Sequence, residues 1–173
     1  MGIEDSEIDG TFVYVEFDER EGPRARAWYP GNLTKDEINL LAVYSIPLRG
    51  QIGEIRDSGL SLFQLDEKRT SISFYKYLIG SVRTLTGAQL AALCFVTETT
   101  INPFRLQPFM IKILKALFRT VVDNRVLKAI YDEMRREEFG TVNVEIKSNV
   151  PIRVKAKILK QDELPKYFEE LSS

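Results

Sequence analysis

The 173-residue sequence contains no histidine and one cysteine, Cys94. Without histidine, hydrolysis of the Ser-His-Asp kind and histidine-ligated metal sites are excluded. A lone cysteine excludes an intramolecular disulfide and suits a reducing compartment. Cys94 sits inside the most apolar stretch of the chain, so it reads as an inert core thiol rather than a nucleophile. No apolar run reaches the length of a membrane span. The opening MGIEDSEIDG is acidic and has no apolar core, so it is not expected to be a signal peptide. Met1-Gly2 with Ser6 fits the outline of an N-myristoylation signal, against which the following acids argue. The glycine pattern at Gly50 and Gly53 runs into Glu54 rather than a helix start, so no phosphate-cradling loop is expected. Charge of one sign is also missing: 24 bases meet 25 acids, a formal net charge of −1. That balance predicts neither a nucleic-acid binder nor a polyanion mimic.

What is present is ordinary for one globular domain: 44% hydrophobic and 28% charged residues. The acids Glu4, Asp5, Glu7, Asp9, Glu16, Asp18, Glu19 and Glu21 crowd the start, with only Arg20 against them. A solvated terminus and loop account for that crowding. TFVYVEF (11–17) alternates like a strand, and so does RARAWY (24–29). The charged DEREGP between them reads as an exposed turn. Thr34 to Glu37 has the form of a capping box. The helix that follows sets Ile38, Leu41, Ala42 and Ser45 on one face, and Pro47 ends it. Strands are expected at LSLFQL (60–65), TSISFYKYLIG (70–80) and QLAALCFVTE (89–98), the last nearly all apolar and so buried on both faces.

Pro103 opens the longest helical pattern, reaching about Val122. Arg105, Lys112, Lys115 and Arg119 fall on one stripe of it, and nearly everything else is apolar. The bases read as the wet edge of the helix; contact with phosphates or an anionic membrane is the alternative. The apolar face is too wide for a helix lying on one side of a sheet. Either other elements cover it or a partner chain does. A second helix turns Val126, Leu127, Ile130, Tyr131 and Met134 inward. TVNVEIK and PIRVKAKIL then alternate like strands, and DELPKYFEELSS closes with a short helix. Trp28 and Tyr29, ahead of Pro30, admit two readings, core or rim packing and interface anchors.

The expected architecture is an α+β sandwich. Its five-stranded antiparallel sheet carries one helix on one face and two on the other. Residues 1–10 are expected to form a flexible acidic terminus, 11–139 the domain and 140–173 a β-rich C-terminal extension of unassigned role. This element order, with the hairpin FVYVEFDEREGPRARAWYP, resembles the longin domain and its roadblock relatives. The segment EGPRARAWYP is similar to the opening hairpin of longin domains in DENN and folliculin-type proteins, and of stand-alone archaeal longin-like proteins. The resemblance covers about residues 11–139.

It implies binding rather than catalysis: a platform for a small GTPase or for a longin or roadblock partner, as a homo- or heterodimer, in trafficking or GTPase-regulating assemblies. It also implies a cytoplasmic protein whose membrane association, if any, comes through a partner. No cofactor, metal or nucleic acid is expected. Exposed-apolar reasoning nominates Trp28, Tyr29, Phe104, Met110, Ile111, Leu114 and Phe118 as partner contacts. The rival reading is a small-molecule sensor of PAS, GAF or profilin-like architecture, which requires a ligand cavity under the sheet. An enzyme working with carboxylates and lysines alone is a third, and the sequence offers no cluster for it.

Overall fold

A computed structural model describes residues 9–46, 58–79, 88–99, 101–117, 121–136, 140–146 and 152–172. The N-terminal hairpin pairs β1 (Gly10–Asp18) with β2 (Gly22–Tyr29). Its charged tip is a turn held by Asp18, whose Oδ1 accepts from the backbone N–H of Arg20 (2.8 Å) and Glu21 (3.0 Å). Gly22 closes it at φ 81°, a value that side-chain-bearing residues seldom adopt. β3 (Ser58–Gln64), β4 (Arg69–Ile79) and β5 (Ala88–Glu98) complete an antiparallel sheet of order β2-β1-β5-β4-β3. The most apolar strand, β5, is therefore central, as its composition requires.

Because successive strand residues point to opposite faces, the sheet sorts its own side chains. Val13, Val15, Ala92, Cys94 and Val96 share a core with Ile38, Leu41, Ala42 and Ile46, on and next to helix α1 (Lys35–Ser45). Phe12, Tyr14, Ile72, Phe74, Leu93 and Phe95 share the other core with helices α2 (Gln107–Leu117) and α3 (Asn124–Arg136). One face is thus built of small and branched residues under one helix. The other is built of aromatics and leucines under two.

The capping box forms as expected. The Thr34 hydroxyl accepts from the Glu37 N–H (3.1 Å), and Glu37 Oε1 accepts from the Thr34 N–H (3.0 Å). The inward face of α1 is Ile38, Leu41, Ala42 and Ser45. All five residues expected to turn inward on α3 are buried.

The helical pattern from Pro103 divides in two. Pro103–Leu106 is a 3₁₀ turn, and the α-helix begins at Gln107, with Pro108 in its first turn where no N–H is needed. The α-helix is described through Leu117, and Val121–Asp123 is not helical.

After α3, β6 (Gly140–Ile146) and β7 (Ile152–Ile158) form a separate antiparallel hairpin. β7 packs on α2 and β6 on α3. Ala156 and Ile158 join the same core as Phe109, Met110, Ile113 and Leu114. The surplus apolar face of α2 is therefore covered from within the chain. At the closing helix α4 (Leu164–Ser172), Leu164 is buried and Phe168 meets Phe104 edge-on, centroids 5.2 Å apart.

Candidate interaction surface

The residues nominated from sequence do not form one surface. Met110 and Leu114 are fully buried between the sheet and β7, so they cannot reach a partner in this fold. Their exposure was inferred from a helix too apolar for a single contact, and the second contact is the β6–β7 hairpin. Ile111 and Phe104 are half-buried and pack on the same core. Phe118 and Arg119 lie outside the described residues. Trp28 and Tyr29 point to opposite faces. Trp28 packs on the α1 side, while Tyr29 meets Tyr131 edge-on at 5.4 Å and lies under the Lys128 ammonium, 5.7 Å from its ring centroid. The expected basic stripe is broken too. Arg105 is buried, and its Nε donates to the Leu159 carbonyl (2.8 Å). It belongs to the 3₁₀ turn, whose three-residue period is out of phase with the helix that carries Lys112 and Lys115.

The uncovered apolar surface is elsewhere. On the outward side of α1, Leu40, Val43 and Tyr44 are 42%, 45% and 53% exposed. Spacings of three and four put them on one stripe, back to back with the buried one. Tyr44 stacks on Phe63 of β3, with centroids 4.4 Å apart and rings inclined by 8°. The Ser61 hydroxyl donates to the Tyr44 carbonyl (3.3 Å). On the opposite side of β3, Leu62 is 50% exposed. The stripe is legible in LLAVY (40–44) once the helix is allowed a second apolar face.

A charge clamp sets this surface in place. Arg69, at the start of β4, bonds Glu37 Oε2 and reaches Asp66 Oδ2 through Nη2 (2.7 Å) and Nε (2.9 Å). The start of α1 is thereby tied to the β3–β4 turn. The Thr34 backbone N–H, aided by Arg69, holds the Glu37 carboxyl below its ordinary value, and Arg69 does the same for Asp66. Both acids raise the Arg69 guanidinium in turn.

The two edges of the sheet differ. At β2 the register shifts between Tyr14 and Val15, leaving Arg26 between Ala25 and Ala27 without an opposite residue. Arg26 reaches Asp18 (3.4 Å), and the Trp28 N–H donates to Asn124 Oδ1 at the head of α3 (2.9 Å). Bulge, charges, Pro23 and helix together blunt that edge. β3 reads SGLSLFQ: it has no charged residue, no proline and no register shift against β4. Among the described residues no strand pairs with its outer side.

Elsewhere, Asp9 accepts from the Tyr131 hydroxyl (2.5 Å) and Arg135 Nη1 (2.8 Å), which fixes the entry to β1 on α3. Burial would raise its carboxyl, but these two partners and the Gly10 N–H together outweigh burial and hold it low. Cys94 is fully buried, which pushes its thiol up to about 11, and Ser73 Oγ lies 3.1 Å from its sulfur. Among the described residues, no three histidine, cysteine or carboxylate side chains gather as metal ligands. None of the described helices is long and apolar enough to cross a membrane.

Comparison with models of known protein families returns no match, and comparison with curated proteins returns none.

Proposed function

We propose that the chain is a non-catalytic protein-interaction module that meets its partner through the outward face of α1 and the adjoining edge of β3. The observation that carries this reading is the exposed stripe Leu40, Val43 and Tyr44, whose Tyr44 ring stacks on Phe63 of β3. Large apolar side chains in one contiguous exposed patch cost solubility, and burial against a partner removes that cost. The strand order β2-β1-β5-β4-β3 with one helix against two is compatible with the longin and roadblock resemblance. That resemblance supplies the partner class: a small GTPase, or another longin or roadblock protein. On this reading, regulation of the GTPase proceeds by contact with its switch regions rather than by covalent chemistry.

The test is affinity capture of the tagged protein from extract of the cells that make it, beside a Val43→Asp variant. A small GTPase or a longin or roadblock protein should be recovered with the native chain and lost with the variant. Recovery of neither class by the native chain, or equal recovery by both baits, overturns the reading.

A further inference from the structure

We propose that the outer face of the β6–β7 hairpin docks on a membrane surface of anionic headgroups, on the side of the molecule away from α1 and independently of the reading above. β7 reads IRVKAKI. Alternation sends Ala156 and Ile158 into the core over α2, and sends Arg153, Lys155 and Lys157 out, where all three are exposed. Every outward position of this strand is therefore basic. The only exposed residues of α2 are Lys112 and Lys115, and Lys112 Nζ donates to the Lys155 carbonyl (3.1 Å). Two acids stand beside these bases. Glu163 pairs with Lys157 Nζ (2.6 Å), and Glu145 of β6 is in register with Arg153. Among the described residues no ion pair engages Lys112, Lys115, Arg153 or Lys155. A chain whose charges nearly cancel overall thus carries a locally basic face.

Helix α4 decides which polyanion this face suits. The Lys157–Glu163 pair ties the approach to α4 onto β7. Leu164, Phe168 and Leu171, spaced four and three apart, share one side of α4, with Glu169 and Glu170 on the other. Leu164 is buried, while Phe168 is 37% and Leu171 58% exposed, so the stripe runs from the core out into solvent. Bases beside an uncovered apolar stripe suit a lipid surface, which offers headgroup phosphate and hydrocarbon together. Nucleic acid offers phosphate without hydrocarbon and would leave Leu171 wet. α2 lies between the sheet and β7, while α1 lies on the other face of the sheet. A membrane against the hairpin therefore leaves α1 and β3 turned away from the lipid and open to a partner.

The experiment is sedimentation of the full chain with vesicles of phosphatidylcholine alone, or of equal parts phosphatidylcholine and phosphatidylserine. The native chain should sediment with the mixed vesicles only, and about 1 M salt should release most of it. Each neutralised base should weaken binding about fivefold, so Arg153→Gln with Lys155→Gln should weaken it about 25-fold. Both positions are exposed, and an unchanged circular-dichroism spectrum checks that the fold is kept. Leu171→Ser should weaken binding about threefold. Lys35→Gln, at the exposed start of α1, should bind as the native chain does.

A native chain that ignores the mixed vesicles, or equal losses from Lys35→Gln and Lys155→Gln, overturns the docking face. Tighter binding to duplex DNA or RNA than to the vesicles at the same salt overturns the lipid assignment, and so does vesicle binding indifferent to Leu171→Ser. None of these outcomes touches the α1 face, which the Val43→Asp capture tests separately.

Discussion

Helices α1 and α2 are both more apolar than one contact requires, and the chain treats them differently. α2 lies between the sheet and β7, so Met110 and Leu114 have neighbours on both sides. α1 has the sheet below and leaves Leu40, Val43 and Tyr44 uncovered among the described residues. The sheet edges repeat the contrast, with β2 bulged, charged and tied to α3, and β3 plain. Surplus apolar surface is therefore not itself a sign of partnership. What matters is whether another part of the same chain covers it.

The largest effect expected from this contrast is in the covered helix. Leu114→Ala should cost about 2–5 kcal/mol, since it opens a cavity in a closely packed core. Val43→Ala, on the uncovered stripe, should cost about 0.5 kcal/mol or less. Denaturant titration of both variants checks the pair, and equal losses would mean that α1 is as enclosed as α2. A smaller effect is expected at the guarded edge. Asn124→Ala removes the acceptor of the Trp28 N–H and should cost about 0.5–1 kcal/mol in the same titration.

The smallest effect is expected from the clamp that seats α1, and it depends on pH. The folded Glu37 and Asp66 carboxyls titrate below their ordinary values of 4.5 and 3.8. Their stabilisation is complete above those values and is lost as pH falls through the lower folded-state values. The melting temperature of the native chain should therefore drop as pH is lowered from 5 to about 3. Glu37→Gln, starting lower, should show a shallower drop. Parallel slopes for the two proteins would remove the clamp from the account.

Much of this was legible in the residues. Local chemistry decides local structure: the Thr34–Glu37 box, the Gly22 turn and the alternation of 11–17 each act over a few residues. The inward face of α3 and the central place of β5 followed from periodicity and apolar content. The burial of Met110, Leu114 and Arg105 was not legible. Periodicity says that a face is buried, not against what. Met110 and Leu114 looked like partner contacts because nothing local to 103–122 shows that Ala156 and Ile158 will lie over α2. Arg105 looked solvated because a change of helical period at Gln107 leaves no mark in a pattern of charges.

The element order, the capping of α1, the exclusion of histidine chemistry and the two apolar stripes of one short helix were written into the chain itself. Those properties depend on residue types and on spacings of a few positions. Which surplus apolar surface is closed by the chain, and which is left open among the described residues, was settled by long-range packing. That outcome turns on where a hairpin some forty residues downstream comes to rest, and on which strand the sheet order leaves at its edge. Both are long-range matters of packing, to which no short window of sequence is sensitive.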